Sequence, residues 1–249
     1  MNNTTGETRQ RMAAVVAAAA PYWAGEAEVV RTYFHRPRTR AQDLAWLRAQ
    51  AYKEARPFRE LPRNWQEEFL QTGTVRLHPE GAEAVQRMAQ ETGHFRLVAE
   101  LIAEFFGVIV APTDLLVLPE DRKLQELRAA YRAGGGEVER AAVGFTEGGG
   151  GAMFQVLSQL DGGELERKIA SVFKTIADEE IPHGPLAIYT LAGHAKHESD
   201  WQRARTVVQS ISRQRLLMRN EMFGHPLGVA RIQEIDAGRI EPWKMPVPI

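Results

Sequence analysis

The sequence predicts an all-α fold, on three observations. Apolar residues recur at helical spacing in segment after segment, convincing alternation of apolar and polar residues is missing, and Pro and Gly cut the chain into helix-length pieces. With 249 residues, 44% of them hydrophobic, the chain can bury a substantial core. That length lies near the upper size of one domain, so a single helical domain over 1–249 is expected.

After a polar start at 1–6, helical pattern runs to about His35, with an interruption expected at Pro21. A second helix follows Pro37 and Arg38. Its stripe Leu44, Leu47, Ala51, Phe58 keeps helical phase, Glu54 falls within it, and Pro57 and Pro62 then break it. Pro79 opens a strong helix whose stripe Ala84, Met88, Phe95, Val98, Ile102 carries Glu91 in phase and ends near Gly107. The segment 108–121, with Pro112 and Pro119, reads as a crossover to a short helix over 122–133, which Gly134, Gly135 and Gly136 stop. Val143, Phe154 and Leu157 share the face of the next helix, with Glu147 in phase. Asp161-Gly162-Gly163 is a tight turn. The stripe Ile169, Phe173, Ile176, Ala187 follows, and Glu180 and His183 complete it. A long helix over 199–222 and an extended tail with Pro242, Pro246 and Pro248 finish the chain.

Composition excludes several functions. Acidic and basic residues nearly cancel, 32 against 31, so no global field draws the protein to nucleic acid or to an anionic membrane. Cys is absent, which removes disulfides, zinc-thiolate sites, iron-sulfur clusters and a Cys nucleophile, and leaves metal binding to His and carboxylates. The apolar stretch 12–20 is too short to span a bilayer; we read it as an Ala-rich helix of a cytoplasmic protein.

Two copies of Glu-x-x-His stand out, Glu91-Thr92-Gly93-His94 and Glu180-Ile181-Pro182-His183. Residues three apart on a helix project from one face, so each motif can present a carboxylate and an imidazole to one ion. Both motifs, like Glu54 and Glu147, fall in phase with apolar stripes. Burying unpaired carboxylates is costly, several kcal/mol each on the order-of-magnitude scale, and a cation is the simplest remedy. Spacing agrees: the arms from Glu147 to Asp161 and from Gly163 to Glu180 differ by roughly one helical turn at about 1.5 Å per residue.

These residues resemble the ligand set of the ferritin-like dimetal carboxylate superfamily, in which two helices each give a Glu and two others each give a Glu-x-x-His. The resemblance covers about 40–197 and rests on Glu91/His94, Glu147 and Glu180/His183, with Glu54 the best sixth ligand and Glu60 in reserve. It implies a four-helix bundle with one long crossover, the segment 198–249 lying outside that core. It further implies two iron ions, or an iron-manganese pair, held by Glu54, Glu91, His94, Glu147, Glu180 and His183. The activity implied is O2-dependent oxidation, as an oxidase or monooxygenase, of a small organic substrate, with an external electron donor and a homodimer left open.

Gly148, Gly149, Gly150 and Gly151 follow Glu147, and each Gly costs a helix about 0.5–1 kcal/mol relative to Ala. Their missing side chains can make room for substrate beside the metals; the bland reading is a helix that simply breaks there. Pro182 and Pro185 kink the helix at His183, or end it near Glu180 with a new one starting at Pro185. Glu100, Glu104 and Glu179 read as solvated or as supports to the ligands. His194 and His197 read as surface residues, Trp46, Trp65 and Trp201 as core or interface, and Tyr189 as core, interface or pocket lining. Three alternatives stay open: a ferroxidase or peroxide-handling ferritin-like protein, a heme-oxygenase-like di-iron oxidase that would recruit His194 or His197, and a metal-free helical interaction protein.

Overall fold

A computed structural model describes residues 2–60, 63, 66–67, 71, 82–114, 116–147, 151–181 and 183–245, with the side chains at 2–5, 82–88, 147 and 183–186 outside the description. The described elements are helices: α1 (Asn2–His35), α2 (Arg40–Glu54), α3 (Arg56–Glu60), α4 (Ala82–Phe106), α5 (Pro119–Gly134), α6 (Glu137–Glu147), α7 (Gly151–Leu157), α8 (Glu164–Glu180), α9 (His183–His194), α10 (Glu198–Met222) and α11 (Val229–Asp236). No strand occurs among the described residues, so the fold is an all-α bundle. Nor is any described helix long and apolar enough to cross a membrane. The chain divides into two compact units, one made of Met1–Arg38 with Leu118–Ile249, the other of Thr39–Val117.

The larger unit is organised by α1 and α10. Arg11 meets Glu198 at 3.4 Å, Gly25 faces Leu216, and Tyr33 lies edge-on to Phe223 at 5.1 Å between ring centroids, so the two helices run in the same direction. A Cβ on Gly25 would stand 2.9 Å from a Leu216 methyl; the glycine is what permits this approach. The α6 helix runs along α10 in the same sense, from Glu139 paired with Arg203 to Thr146, whose carbonyl accepts from Arg215. Phe154 of α7 stacks on Phe173 of α8.

Four features bear on the sequence expectation. Pro21 does not interrupt α1, which continues through it. A proline inside a helix costs about 3 kcal/mol. The next turn buries Tyr22, Trp23 and Ala27, and one large buried apolar side chain contributes roughly 1.5–3 kcal/mol, so packing offsets the lost bond. Next, of the two courses expected at Glu180, a kink or a helix end, the structure has the end: α8 stops at Glu180 and α9 begins at His183, two residues before Pro185. The sequence places Pro182, which has no N–H, at this junction, and Pro185 in the first turn of α9, where a missing N–H costs nothing. Part of the expected tail is the helix α11, stopped at Gly238 with φ +73° and tied to α1 by a bidentate Arg231–Glu28 pair at 2.7 Å. Finally, Tyr189 is 47% exposed, so of its expected places the core is ruled out.

The smaller unit pairs α2 with α4. Arg40, first in α2, donates to the Phe105 carbonyl and lies over the Phe106 ring, whereas Glu54, last in α2, reaches His94 in the middle of α4; the two helices are antiparallel. Gly107, with φ +65°, closes α4 in the left-handed conformation that glycine adopts without a Cβ penalty.

Candidate metal centre

The α2 helix starts where Thr39 and Gln42 form a capping box, the Thr39 hydroxyl accepting from the Gln42 N–H and the Gln42 side chain accepting from the Thr39 N–H. From that start, helical phase buries Asp43, Trp46, Leu47, Gln50, Ala51 and Glu54. On α4 it buries His94, Phe95, Val98, Leu101 and Ile102 and leaves Glu91 half-buried. The two faces meet, and Glu54, Glu91 and His94 each bring a ligand atom within 4.8 Å of the others.

Nδ1 of His94 is 3.8 Å from Oε2 of Glu54 and 3.9 Å from Oε2 of Glu91. Two donor atoms each about 2.1 Å from one ion can be at most about 4.2 Å apart, so both separations suit a shared cation. His94 is 1% exposed and Glu54 6%. Burial alone pushes the Glu54 carboxyl up, but its polar interactions with His94 and Glu91, helped by the Lys53 charge, outweigh burial and hold its pKa at about 2. Glu54 is therefore an anion in a dry place. Gln50, one turn earlier on α2 and wholly buried, donates its side-chain N–H to Oε1 of the same carboxylate. Two carboxylates and an imidazole form a donor set for hard or borderline divalent ions, and this buried group can hold one.

Glu60, the reserve candidate, is exposed on α3, whereas Glu54 is buried. The other three candidates belong to the larger unit. Glu147 ends α6, Glu180 ends α8 half-buried, and His183 begins α9; the side chains of Glu147 and His183 lie outside the described residues. Glu180 and His183 thus belong to successive helices. Gly148, Gly149 and Gly150 also lie outside the described residues, as does Trp65, while Gly151 opens α7 against Ile181.

His194 is exposed and pairs with Glu137 at 3.1 Å, and His197 is exposed at the start of α10, where its N–H donates to Asp200. Glu100, Glu104 and Glu179 are exposed. Two polar features escaped the sequence reading. One is Gln50, whose only signal was its place one turn before Glu54 in the same stripe. The other is a buried cluster in the larger unit: Glu26, 0% exposed, faces Arg215 at 3.1 Å and Arg219 at 3.7 Å, and Arg219 lies over the Phe154 ring.

Comparison with protein-family models, with curated proteins and with solved structures finds no match to this chain.

Proposed function

We propose that this protein is a non-heme di-iron oxidoreductase of the ferritin-like type, an oxidase or monooxygenase that uses dioxygen to oxidise a small organic molecule. The observation that carries the reading is the convergence of Glu54 from α2 with Glu91 and His94 from α4 in a buried group. That is half of the six-residue set, one lone Glu with one Glu-x-x-His. Glu147, Glu180 and His183 are proposed as further metal ligands, and Gly148 to Gly151 as space for substrate.

When bound, a pair of reduced iron ions supplies the electrons that activate dioxygen. The protein's own residues do the rest. Glu54 and Glu91 balance the charge of the cations, and His94 must offer a neutral ring nitrogen, so metal affinity falls as pH drops. Phe95, next to His94 in the chain, and Val98, one turn on, are buried. His194 and His197, which a heme-oxygenase-like centre would recruit, lie on the surface, and this favours the ferritin-like assignment. A cytoplasmic setting and an external electron donor belong to the same proposal.

Anaerobic titration of the full chain with ferrous iron tests it. Uptake of about two equivalents per chain, followed by oxygen consumption on mixing with air, is expected. No uptake, or uptake unchanged when both His94 and His183 are replaced by Ala, overturns the reading.

A further inference from the structure

Gln50 is polar, wholly buried and placed in an apolar stripe between Leu47 and Ala51. A Leu or Met there would fill similar space and require no hydrogen-bond partner. The amide is explained by what it touches. Its nitrogen donates to Oε1 of Glu54, four residues on, the spacing at which side chains on one helix face meet. The other oxygen, Oε2, is the one 3.8 Å from His94 Nδ1. The two oxygens of one carboxylate are thus distinguished, one held by the helix that bears it and the other turned toward the residues of α4.

We infer that Gln50 is a positioning residue for the metal centre: it ties down Oε1 so that Glu54 presents Oε2 alone to the cation. The inference rests on the reading of Glu54, Glu91 and His94 as metal ligands. Its physical basis is that a terminal carboxylate rotates easily about its last bond, and a buried donor on one oxygen removes that freedom before the ion arrives. An orienting partner of this kind sets both the affinity of a site and its coordination geometry, and its loss typically weakens metal binding by about 10–100-fold.

Cobalt(II) is a suitable probe, since its visible absorption reports ligand geometry. In the full-length protein, the cobalt band abolished by His94→Ala is the signal of this site. Gln50→Met is expected to keep the far-ultraviolet circular dichroism of the parent, to weaken cobalt binding at that signal by roughly 10–100-fold, and to shift the band. Parental affinity with an unshifted band overturns the assignment of Gln50 and leaves the metal reading standing. Absence of any cobalt signal that depends on His94 removes the metal reading, and this inference with it. A cadmium-soaked crystal of the unaltered chain gives an answer independent of how the variant folds. Coordination through Oε2 with the Gln50 bond to Oε1 intact is expected; coordination through Oε1, or through both oxygens, overturns the inference.

Discussion

Oε2 of Glu54 lies 3.8 Å from Nδ1 of His94, so the last residue of α2 meets the middle of α4 at a point from which water is largely excluded. Glu60, only six residues on, is exposed. The two glutamates therefore make opposite predictions. On the proposed function, Glu54→Ala is expected to lower iron stoichiometry by about one equivalent per chain, with binding at the proposed ligands Glu180 and His183 retained, and Glu60→Ala to leave it at the parental level. Titration under anaerobic conditions checks both. The reverse pattern would move the ligand of the first core helix to Glu60.

In the larger unit, the buried Glu26 serves two cations, Arg215 and Arg219. Replacing Arg215 by Met leaves Glu26 facing Arg219, whereas replacing Glu26 by Leu leaves two buried guanidinium groups facing each other. Breaking a buried pair costs about 3–5 kcal/mol because the remaining charge is uncompensated. Glu26→Leu is expected at or above that range. Arg215→Met should cost less, about 1.5–3 kcal/mol, chiefly for its charged bond to the Thr146 carbonyl. Urea denaturation of both variants ranks them, and a larger loss for Arg215→Met would show that Arg219 does not share Glu26.

What could be read in advance followed from periodicity. Helical phase alone placed Glu54, Glu91 and His94 with apolar neighbours, and the structure buries Glu54 and His94 and half-buries Glu91. Long-range pairing was not legible. Glu26 and Arg215 are 189 residues apart, and nothing in either stretch says that α1 and α10 lie side by side. Proline is an uneven guide. Pro21 signals a break that the buried turn around Trp23 overrides, whereas Pro182 and Pro185 leave a kink and a helix end both open, and α8 ends at Glu180. The short helix α11 was hidden by the prolines that follow it, although Ile232 and Ile235 have helical spacing and are buried.

Glu166, in the first turn of α8, gives a prediction for pH. Burial pushes its carboxyl up, but its own N–H, the Arg38 guanidinium and the Gly163 N–H outweigh burial and set its pKa below the usual 4.5. A carboxyl depressed in the folded state contributes stability that is fully present above its unfolded pKa and is lost as pH falls through the folded one. The parent is therefore expected to exceed Glu166→Gln by about 1.5–3 kcal/mol at pH 7. The gap should close progressively below about pH 4.5, the unfolded value. Urea midpoints of the two proteins at neutral and acid pH measure it, and a gap independent of pH would show that the charge of Glu166 contributes nothing.

Gly151 opens α7 beside the junction between α8 and α9, and a Cβ there would lie 3.2 Å from Cγ1 of Ile181. That is closer than ordinary van der Waals contact, so Ala at this position requires Ile181 to move by a few tenths of an ångström. Gly151→Ala is expected to stay within about 1 kcal/mol of the parent, since Ala also favours the helix by 0.5–1 kcal/mol. Gly151→Leu cannot be accommodated so cheaply, and overpacking of this kind costs about 1–3 kcal/mol. Ile181 directly follows Glu180, so if Glu180 and His183 are ligands as proposed, its displacement is expected to reduce iron binding from about two equivalents toward one while the His94-dependent cobalt signal persists. Thermal denaturation and iron titration on the same samples separate the effects. Full stoichiometry in Gly151→Leu, despite a lowered melting temperature, would show that the contact with Ile181 supports packing only and that Glu180 and His183 hold their places without it.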